Sequence, residues 1–191
     1  MNHLAHLLVA RRTGTSPSGA LLADALRHIE GDDYPADFVT GVKLHHAVDD
    51  FTDAHPAVAR SRARLDASAR HYRGVLVDVY YDHCLAARWA RFSEEPLRLF
   101  ADATYATLSS ELARPAWPEA PWVRRMIAAD WLTRFGRPEG AFEALRRMTH
   151  RARRPRLLDD AARLLGAAHD GLQADFDLFF PELLAHVEAG S

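Results

Sequence analysis

The sequence predicts an all-α fold, a single-domain bundle of several helices over residues 1–191, and three observations support this prediction. No stretch sustains the period-two alternation with β-branched residues that is typical of strands. Residues that favour helix starts, such as Asn, Ser and Pro, recur along the chain. The chain is long enough to bury one substantial core, and it contains no repeat, low-complexity segment or clear linker.

Five helices are predicted in the first half of the chain from their start and stop signals. Asn2 is a candidate N-cap of the first helix, "RTGTSP" ends that helix, and "EGDDY" forms the loop before the third. The predicted spans are about 3–11, Ser18 as an N-cap to about Ile29, Pro35 to about Thr52, Pro56 to about Leu65, and roughly 69–91.

The second half predicts three further helices and a long C-terminal helical region. Three prolines in "ARPAWPEAP" predict a loop, and Pro181 is expected to kink or break the last helix. The predicted spans are Ser93 as a cap with Glu94 to about Leu112, about 122–135, a helix starting at Pro138, and about 157–188 after Pro155.

Composition excludes several classes of protein. A net charge of −2 gives no argument for nucleic-acid binding. The one cysteine, Cys84, cannot form an internal disulfide and suits a reducing compartment. No apolar run approaches the roughly 18 residues of a membrane span, and "MNHLAHLLVARR" lacks the pattern of a secretory signal. We therefore expect a cytoplasmic protein that does not enter the membrane.

Acids and histidines interrupt four predicted apolar helices within the first 90 residues. Asp24 lies in "SGALLADALR", where a buried carboxylate would be costly unless it were paired or held a metal. Imidazole and carboxylate together suit a divalent ion such as manganese, iron or zinc, and ligand pairs four residues apart on several helices can converge on one ion. The residues concerned are His3, His6, Asp24, the pair His45 and Asp49, the pair Asp78 and Asp82, and His83.

A purely structural interpretation of these residues is also open. A histidine and an aspartate four apart often form a surface ion pair, and Asp24 could pair with Arg27 on a solvated edge. Recurrence in four helices favours a shared site, so we expect Asp24, His45 and Asp49, together with Asp82, to converge. The later doublet His169-Asp170 is flanked by glycines and is predicted to form a turn without a catalytic role.

The segment "RRMTHRARRPR", residues 146–156, contains six arginines and no acid. One interpretation is a solvated helix end followed by a loop. The other is a docking patch for an acidic partner or a phosphate. Nucleic acid is disfavoured, because aromatic residues do not interleave the segment and the whole chain is slightly acidic.

These segments together resemble the acyl carrier protein phosphodiesterases, also called holo-acyl-carrier-protein hydrolases, along essentially the whole chain. "MNHLAHLLVA" is similar to the Asn-x-Leu-Ala-His opening of the family, and "SGALLADALR" to its Ser-Gly-Asn-Leu-Leu-Ala-Asp segment, apart from Ala20. "GVKLHHAVDDFTDAHP" matches a Gly-x-x-x-His-x-x-x-Asp-x-x-Thr-Asp pattern, and "VDVYYDHCLAARW" matches an Asp-x-x-x-Asp-His-x-Leu segment. "RRPRL" and "FDLFFP" complete the resemblance.

The resemblance implies a mainly α-helical fold distantly related to HD-type metal phosphohydrolases, with a divalent metal cofactor, typically manganese. It implies hydrolysis of the phosphodiester that joins 4′-phosphopantetheine to a serine of acyl carrier protein, which yields apo carrier protein and free 4′-phosphopantetheine. The residues that match the motifs are His6, Asp24, His45, Asp49, Asp53, Asp78, Asp82 and His83.

Roles follow from this resemblance and from the chemistry of phosphodiester hydrolysis. Asp78 or His83 would orient water or protonate the serine oxygen, and Lys43 or Arg27 would clamp the phosphate. Because acyl carrier proteins are small and acidic, the arginine segment is the candidate dock. The expected metal ligands are His6, Asp24, His45, Asp49 and Asp82, and the expected docking residues are Arg151, Arg153 and Arg154.

Two other functions stay open at this point. One is an HD-type phosphohydrolase that acts on nucleotides or another small phosphoester. The other is a carrier-protein binding module without turnover, which would need no bound metal.

Overall fold

The computed structural model describes residues 1–25, 34–114, 120–137, 139–143, 145 and 156–190, with side chains at all of these except 25, 70, 71 and 156–160. These residues form helices and connecting turns and no strand, which confirms the all-α prediction. The helices are α1 His3–Thr13, α2 Pro17–Leu22, α3 Ala36–Ala54, α4 Pro56–Arg64, α5 Arg73–Ala87, α6 Leu97–Glu111, α7 Pro121–Ala128, α8 Trp131–Arg134 and α9 Arg156–Ala189. Short 3-10 turns cover Ala23–Ala25, Ala67–Tyr72 and Trp89–Arg91.

Helix α1 lies at the centre of the packing and contacts α2, α3, α5 and α9. Every residue from Leu4 to Ala10 is buried, so nearly the whole circumference of the helix faces protein. Gly14 ends the helix in a left-handed conformation with φ of 67°, which glycine adopts without strain. His6 is therefore placed inside the bundle by a helix that is buried on all sides.

Helices α2 and α3 cross at unusually close range because both carry a glycine at the crossing. A Cβ on Gly19 would lie 2.3 Å from the carbonyl oxygen of Phe38, and a Cβ on Gly41 would lie 2.5 Å from that of Ser16. Only a residue without a side chain fits at either position. This crossing brings the backbone of α2 against the face of α3 that carries His45.

Three predicted helix starts or continuations are wrong. Ser16, not Ser18, caps α2, because Ser16 accepts a hydrogen bond from Gly19 N while Pro17 occupies the first turn. Ser93 does not cap α6: its hydroxyl donates to Glu95 O, and the helix begins at Leu97 after Pro96. The helix predicted over 122–135 is interrupted at Asp130, which has φ of 49° and separates α7 from α8.

Helix α9 continues through Pro181, so the predicted break is wrong. Phe179, Phe180 and Leu183 are all fully buried around the proline. Their burial holds the helix against the core on both sides and offsets the cost of roughly 3 kcal/mol that an internal proline carries. His169 and Asp170 also lie inside this helix rather than in a turn. Helix α2 ends at Leu22, so its predicted extent to about Ile29 is wrong. The predicted helix start at Pro138 falls outside the described residues.

Candidate metal centre

Two histidines and two aspartates from three parts of the chain meet beside the α2–α3 crossing. His45 Nε2 lies 3.1 Å from Asp49 Oδ2 and 3.3 Å from Asp24 Oδ1. His6 Nε2 lies 3.2 Å from Asp49 Oδ1, and the rings of His6 and His45 stack with centroids 4.1 Å apart. One ligand atom from each of His6, His45 and Asp49 lies within 4.8 Å of the other two.

Backbone contacts orient His45 for this cluster. Its Nδ1 lies 2.7 Å from the carbonyl oxygen of Ala20, so Nδ1 donates and carries the proton. In the neutral imidazole this leaves the lone pair on Nε2, the atom that faces Asp24 and Asp49. Sequence alone does not identify Ala20 as a partner, because the contact depends on the α2–α3 crossing.

The donor set fits a divalent cation. His6 is buried, and neither of its ring nitrogens makes a hydrogen bond to the described residues, although Nε2 is close to Asp49. A buried polar atom without a partner is unfavourable, and a cation between His6, His45 and Asp49 would supply one. Imidazole nitrogen with carboxylate oxygen is the ligand combination of manganese, iron and zinc sites.

The charges of the cluster follow from these contacts. Burial lowers the pKa of His6 to about 4, so this imidazole is neutral near pH 7. Burial also opposes charge on His45, but hydrogen bonds to Asp24 and Asp49 outweigh it and raise the pKa of His45 to about 9. The pKa of Asp49 is held well below its usual range by His45 and His6, against the effect of burial. Without a cation, the centre therefore holds a His45–Asp49 ion pair.

Asp24 belongs to the cluster but is not buried as the apolar sequence around it suggested. Helix α2 ends at Leu22, and Asp24 lies in the 3-10 turn that follows it. Its side chain is 83% exposed and still reaches His45. The hydrogen bond to His45 lowers the pKa of Asp24. The Asp24 carboxylate thus forms the solvent-facing side of the cluster.

Asp82, predicted to be a metal ligand, occupies a different place. Its two oxygens accept hydrogen bonds from Leu4 N at 2.8 Å and Ala5 N at 3.1 Å, the free N–H groups of the first turn of α1. The side chain is fully buried, and burial raises the pKa of Asp82 to about 7 against the effect of these bonds. Asp82 caps α1 and thereby fixes the helix that carries His6.

The catalytic residues predicted from the sequence separate into one inside the site and two outside it. Asp78 lines the pocket beside the cluster, and burial raises the pKa of its carboxyl group. Lys43 is exposed and lies two residues before His45, about 200° around α3. His83 donates from Nδ1 to Phe135 O at 2.7 Å. Neither Lys43 nor His83 lines the pocket.

Other matched or predicted residues lie away from the cluster or outside the described residues. Asp53 pairs with Arg62 at 2.6 Å on the exposed surface. The four arginines predicted to bind substrate, Arg27, Arg151, Arg153 and Arg154, lie outside the described residues.

The cluster opens into a pocket of about 190 Å³. One part of its wall is polar, with Asp24, His45 and Asp78, and another part is apolar, with Leu21 and Val79. Several further residues line the pocket, and the motif spacing predicts no role at the site for four of them. These four are Met1, Asn2, Ala20 and Val75. The fifth, His3, is one of the histidines that mark the first apolar helix in the sequence, without a predicted role as a ligand.

The amino group of Met1 is part of the same polar wall. It lies 3.2 Å from Asp49 Oδ1 and 3.6 Å from Asp78 Oδ1. These two carboxylates raise the pKa of the amino group, against the effect of burial. The contact places a positive charge between two acids of the site.

The fold and the site define a class: an all-α protein that brings two histidines and two aspartates, a donor set suited to a divalent cation, together beside one pocket. The chain belongs to the acyl carrier protein phosphodiesterase family, whose family model matches residues 1–183. It is similar to curated proteins named acyl carrier protein phosphodiesterase from Salmonella agona strain SL483 and Salmonella newport strain SL254. Each is 32% identical over 195 residues, covering 97% of this chain and 96% of the relative. No solved structure matches the chain.

Proposed function

We propose that this chain hydrolyses the phosphodiester joining 4′-phosphopantetheine to a serine of holo-acyl carrier protein, with a divalent metal ion as cofactor. The products are apo carrier protein and 4′-phosphopantetheine. One observation carries the proposal: His6, His45 and Asp49 converge with Asp24 at a pocket in a chain of this family. The names of the relatives support the choice of substrate.

The metal would be held by His6, His45, Asp24 and Asp49, and manganese is the first ion to test. When bound, the ion lowers the pKa of its water and offsets negative charge on the phosphoryl oxygens. His45 must give up a proton to become a ligand, since its pKa is about 9 in the pair with Asp49. Metal binding should therefore release a proton at neutral pH.

Asp78 is the group best placed to move a proton during the reaction. It lines the pocket, its Oδ1 makes no hydrogen bond to the described residues, and burial raises its pKa. A carboxyl group with a raised pKa keeps more of its acid form near neutral pH and can protonate the departing serine oxygen. The structure favours Asp78 over His83, whose ring is bound to Phe135 O.

Docking of the carrier protein is proposed for the arginine segment. Arg151, Arg153 and Arg154 would attract an acidic protein surface, and Arg27, three residues after Asp24 in the sequence, would bind the phosphate. Both assignments rest on sequence. The relationship to HD-type phosphohydrolases likewise stays a prediction.

The test is mass spectrometry of holo-acyl carrier protein incubated with the purified protein and Mn²⁺. We expect the carrier protein to lose the mass of one phosphopantetheinyl group, and EDTA to prevent the loss. Asp49→Asn should behave like the EDTA sample, because it removes a charged ligand while keeping the shape of the side chain.

Parallel incubations with nucleotides and simple phosphoesters distinguish the other functions. Hydrolysis of a nucleotide without loss of the phosphopantetheinyl group would overturn the choice of substrate. Binding of carrier protein without any hydrolysis, and without bound metal, would identify a docking module.

A further inference from the structure

Asn2, the residue directly before α1, does not perform the function that asparagine usually has at this position. Asn2 is the N-cap of α1, where an asparagine normally accepts a hydrogen bond from the second or third N–H of the helix. Those N–H groups belong to Leu4 and Ala5, and Asp82 binds both. Asn2 accordingly makes no capping hydrogen bond. The structure thus transfers the capping function to Asp82 and leaves the amide of Asn2 available.

Asn2 is a buried residue at the pocket and not part of the exposed surface. Asn2 is only 5% exposed and lines the pocket together with His6 and His45. Its Nδ2 is buried and makes no hydrogen bond to the described residues. A buried donor without a partner is unfavourable, so this group calls for an acceptor that occupies the pocket.

The chemistry of the pocket indicates which acceptor this is. Carboxylates of Asp24, Asp49 and Asp78 surround the candidate metal centre, so an anionic ligand needs donors that offset their repulsion. A side-chain amide donates a hydrogen bond without adding a positive charge that would compete with a cation. A phosphoester oxygen fits this pocket for two reasons. It accepts a hydrogen bond from the amide, and it belongs to an anionic ligand for the candidate metal centre.

We propose that Asn2 is a substrate-contacting residue whose Nδ2 donates a hydrogen bond to a non-bridging phosphoryl oxygen of the phosphodiester bound at the centre. This inference rests on the proposed function and adds to it a donor that the candidate metal ligands do not provide. Such a donor strengthens as charge develops on the phosphoryl oxygens during the reaction.

The donor is also held in place before substrate arrives. Asp82 fixes the first turn of α1, and the ring of His3 packs against Trp122 with centroids 5.2 Å apart. Asn2 lies directly before this anchored turn. A fixed donor contributes more to catalysis than a mobile one, since its ordering is completed by folding.

The experiment compares Asn2→Leu and Asn2→Asp with wild type. Leucine keeps the approximate volume and deletes the donor, and aspartate keeps the shape and replaces the donor with a carboxylate. Both residues are large enough to disfavour removal of Met1, and intact mass verifies that Met1 is present. Three quantities are measured: kcat and KM with holo-acyl carrier protein and Mn²⁺, the affinity for inorganic phosphate by calorimetry, and Tm.

We expect both variants to lose on the order of 10²-fold in kcat, the size of effect seen when one oxyanion-binding donor is removed. Phosphate affinity should fall about tenfold or more, as expected for loss of a hydrogen bond to a charged group. Tm should stay at the wild-type value, because no capping bond is lost. Asp66→Ala is the matched control: it deletes the hydrogen bond that Asp66 accepts from Ser68 N at the start of the 3-10 turn Ala67–Tyr72, outside the pocket, so it should lower Tm and leave kcat unchanged.

Unchanged kcat and phosphate affinity in both variants would overturn the inference while leaving the proposed function intact. A fall in Tm as large as that of Asp66→Ala, together with unchanged phosphate affinity, would identify Asn2 as a structural residue. If wild type does not hydrolyse holo-acyl carrier protein, the proposed function fails. The comparison of phosphate affinities then decides the role of Asn2 independently.

Discussion

Asp24 and Asp49 belong to the same cluster but have different surroundings. Asp24 is 83% exposed and contacts His45. Asp49 contacts His45, His6 and the amino group of Met1, all within 3.2 Å. Removing Asp49 therefore leaves several polar groups without a partner, whereas removing Asp24 leaves one contact at the solvent boundary.

This contrast predicts different effects of the same substitution. Asp24→Ala and Asp49→Ala should both abolish turnover of holo-acyl carrier protein, since each deletes a proposed ligand. In the metal-free protein, Asp49→Ala should be less stable by on the order of 1–3 kcal/mol, and Asp24→Ala should be close to wild type. Urea unfolding in EDTA measures both. Near-normal turnover in either variant would remove that residue from the mechanism.

The raised pKa of His45 predicts how the stability of the metal-free protein depends on pH. Its pKa in the folded protein is about 9, above the ordinary value of 6.5, so the protonated form is stabilised by folding. This contribution is complete below pH 6.5 and is lost as pH rises through 9. In EDTA, wild type should lose Tm between pH 7 and 9.5 relative to His45→Gln, measured by calorimetry. Parallel Tm curves for the two proteins would contradict the ion pair.

At the scale of helices, the α2–α3 crossing positions the centre. Gly41→Ala would place a Cβ against Ser16 O, so α2 must move away from α3. The Ala20–His45 hydrogen bond would then lengthen. We expect a loss of about 1–3 kcal/mol in stability and a loss of roughly 10- to 100-fold in Mn²⁺ affinity. Gly166→Ala is the control, since a Cβ there has nothing within 4 Å.

Gly166→Ala should be neutral or stabilising by up to about 1 kcal/mol, because alanine favours a helix over glycine. If Gly41→Ala has the same effect as Gly166→Ala on both unfolding and titration with Mn²⁺, the close crossing does not position His45.

The connection between α5 and α1 predicts a structural effect for Asp82. Asp82→Ala should destabilise the protein by about 0.5–2 kcal/mol through loss of the cap on α1. Mn²⁺ affinity, measured by calorimetry at a temperature where the variant is folded, should be retained. If the variant keeps the wild-type Tm but does not bind Mn²⁺, Asp82 is a metal ligand, as the sequence predicted, and not a structural cap.

At the scale of the whole molecule, the proposed docking of an acidic carrier protein on the arginine segment predicts how the reaction depends on charge. Changing Arg151, Arg153 and Arg154 together to Glu should raise KM and leave kcat nearly unchanged, since encounter and chemistry occur at different places. Single exposed contacts contribute only about 0.2–1 kcal/mol, so three changes are needed. kcat/KM of wild type should fall as salt rises, and the triple variant should show a flatter dependence.

The control changes three other exposed arginines to Glu, which alters the net charge by the same amount. These are Arg124, Arg125 and Arg137. If both triple variants flatten the salt dependence equally, net charge and not the arginine segment governs the encounter.

Also at this scale, no helix among the described residues is both long enough and apolar enough to cross a membrane.

The sequence alone determined the all-α class, the approximate spans of α1, α3 and α4, and the pairing of His45 with Asp49. These features depend on local rules. Caps and prolines mark helix ends, and residues four apart share a face whatever packs against it, as His45 and Asp49 do at 3.1 Å.

Tertiary structure alone decided which group each side chain meets across a helix interface. Asp78 and Asp82 are four apart on α5, yet Asp78 lines the pocket and Asp82 caps α1. Periodicity assigns both to one face but carries no information on the position of α1 along α5. The same packing directs Asn2 into the pocket. A backbone N–H donates to whichever carboxylate folding brings within hydrogen-bond distance, and the distance between two helices is set by every side chain packed between them.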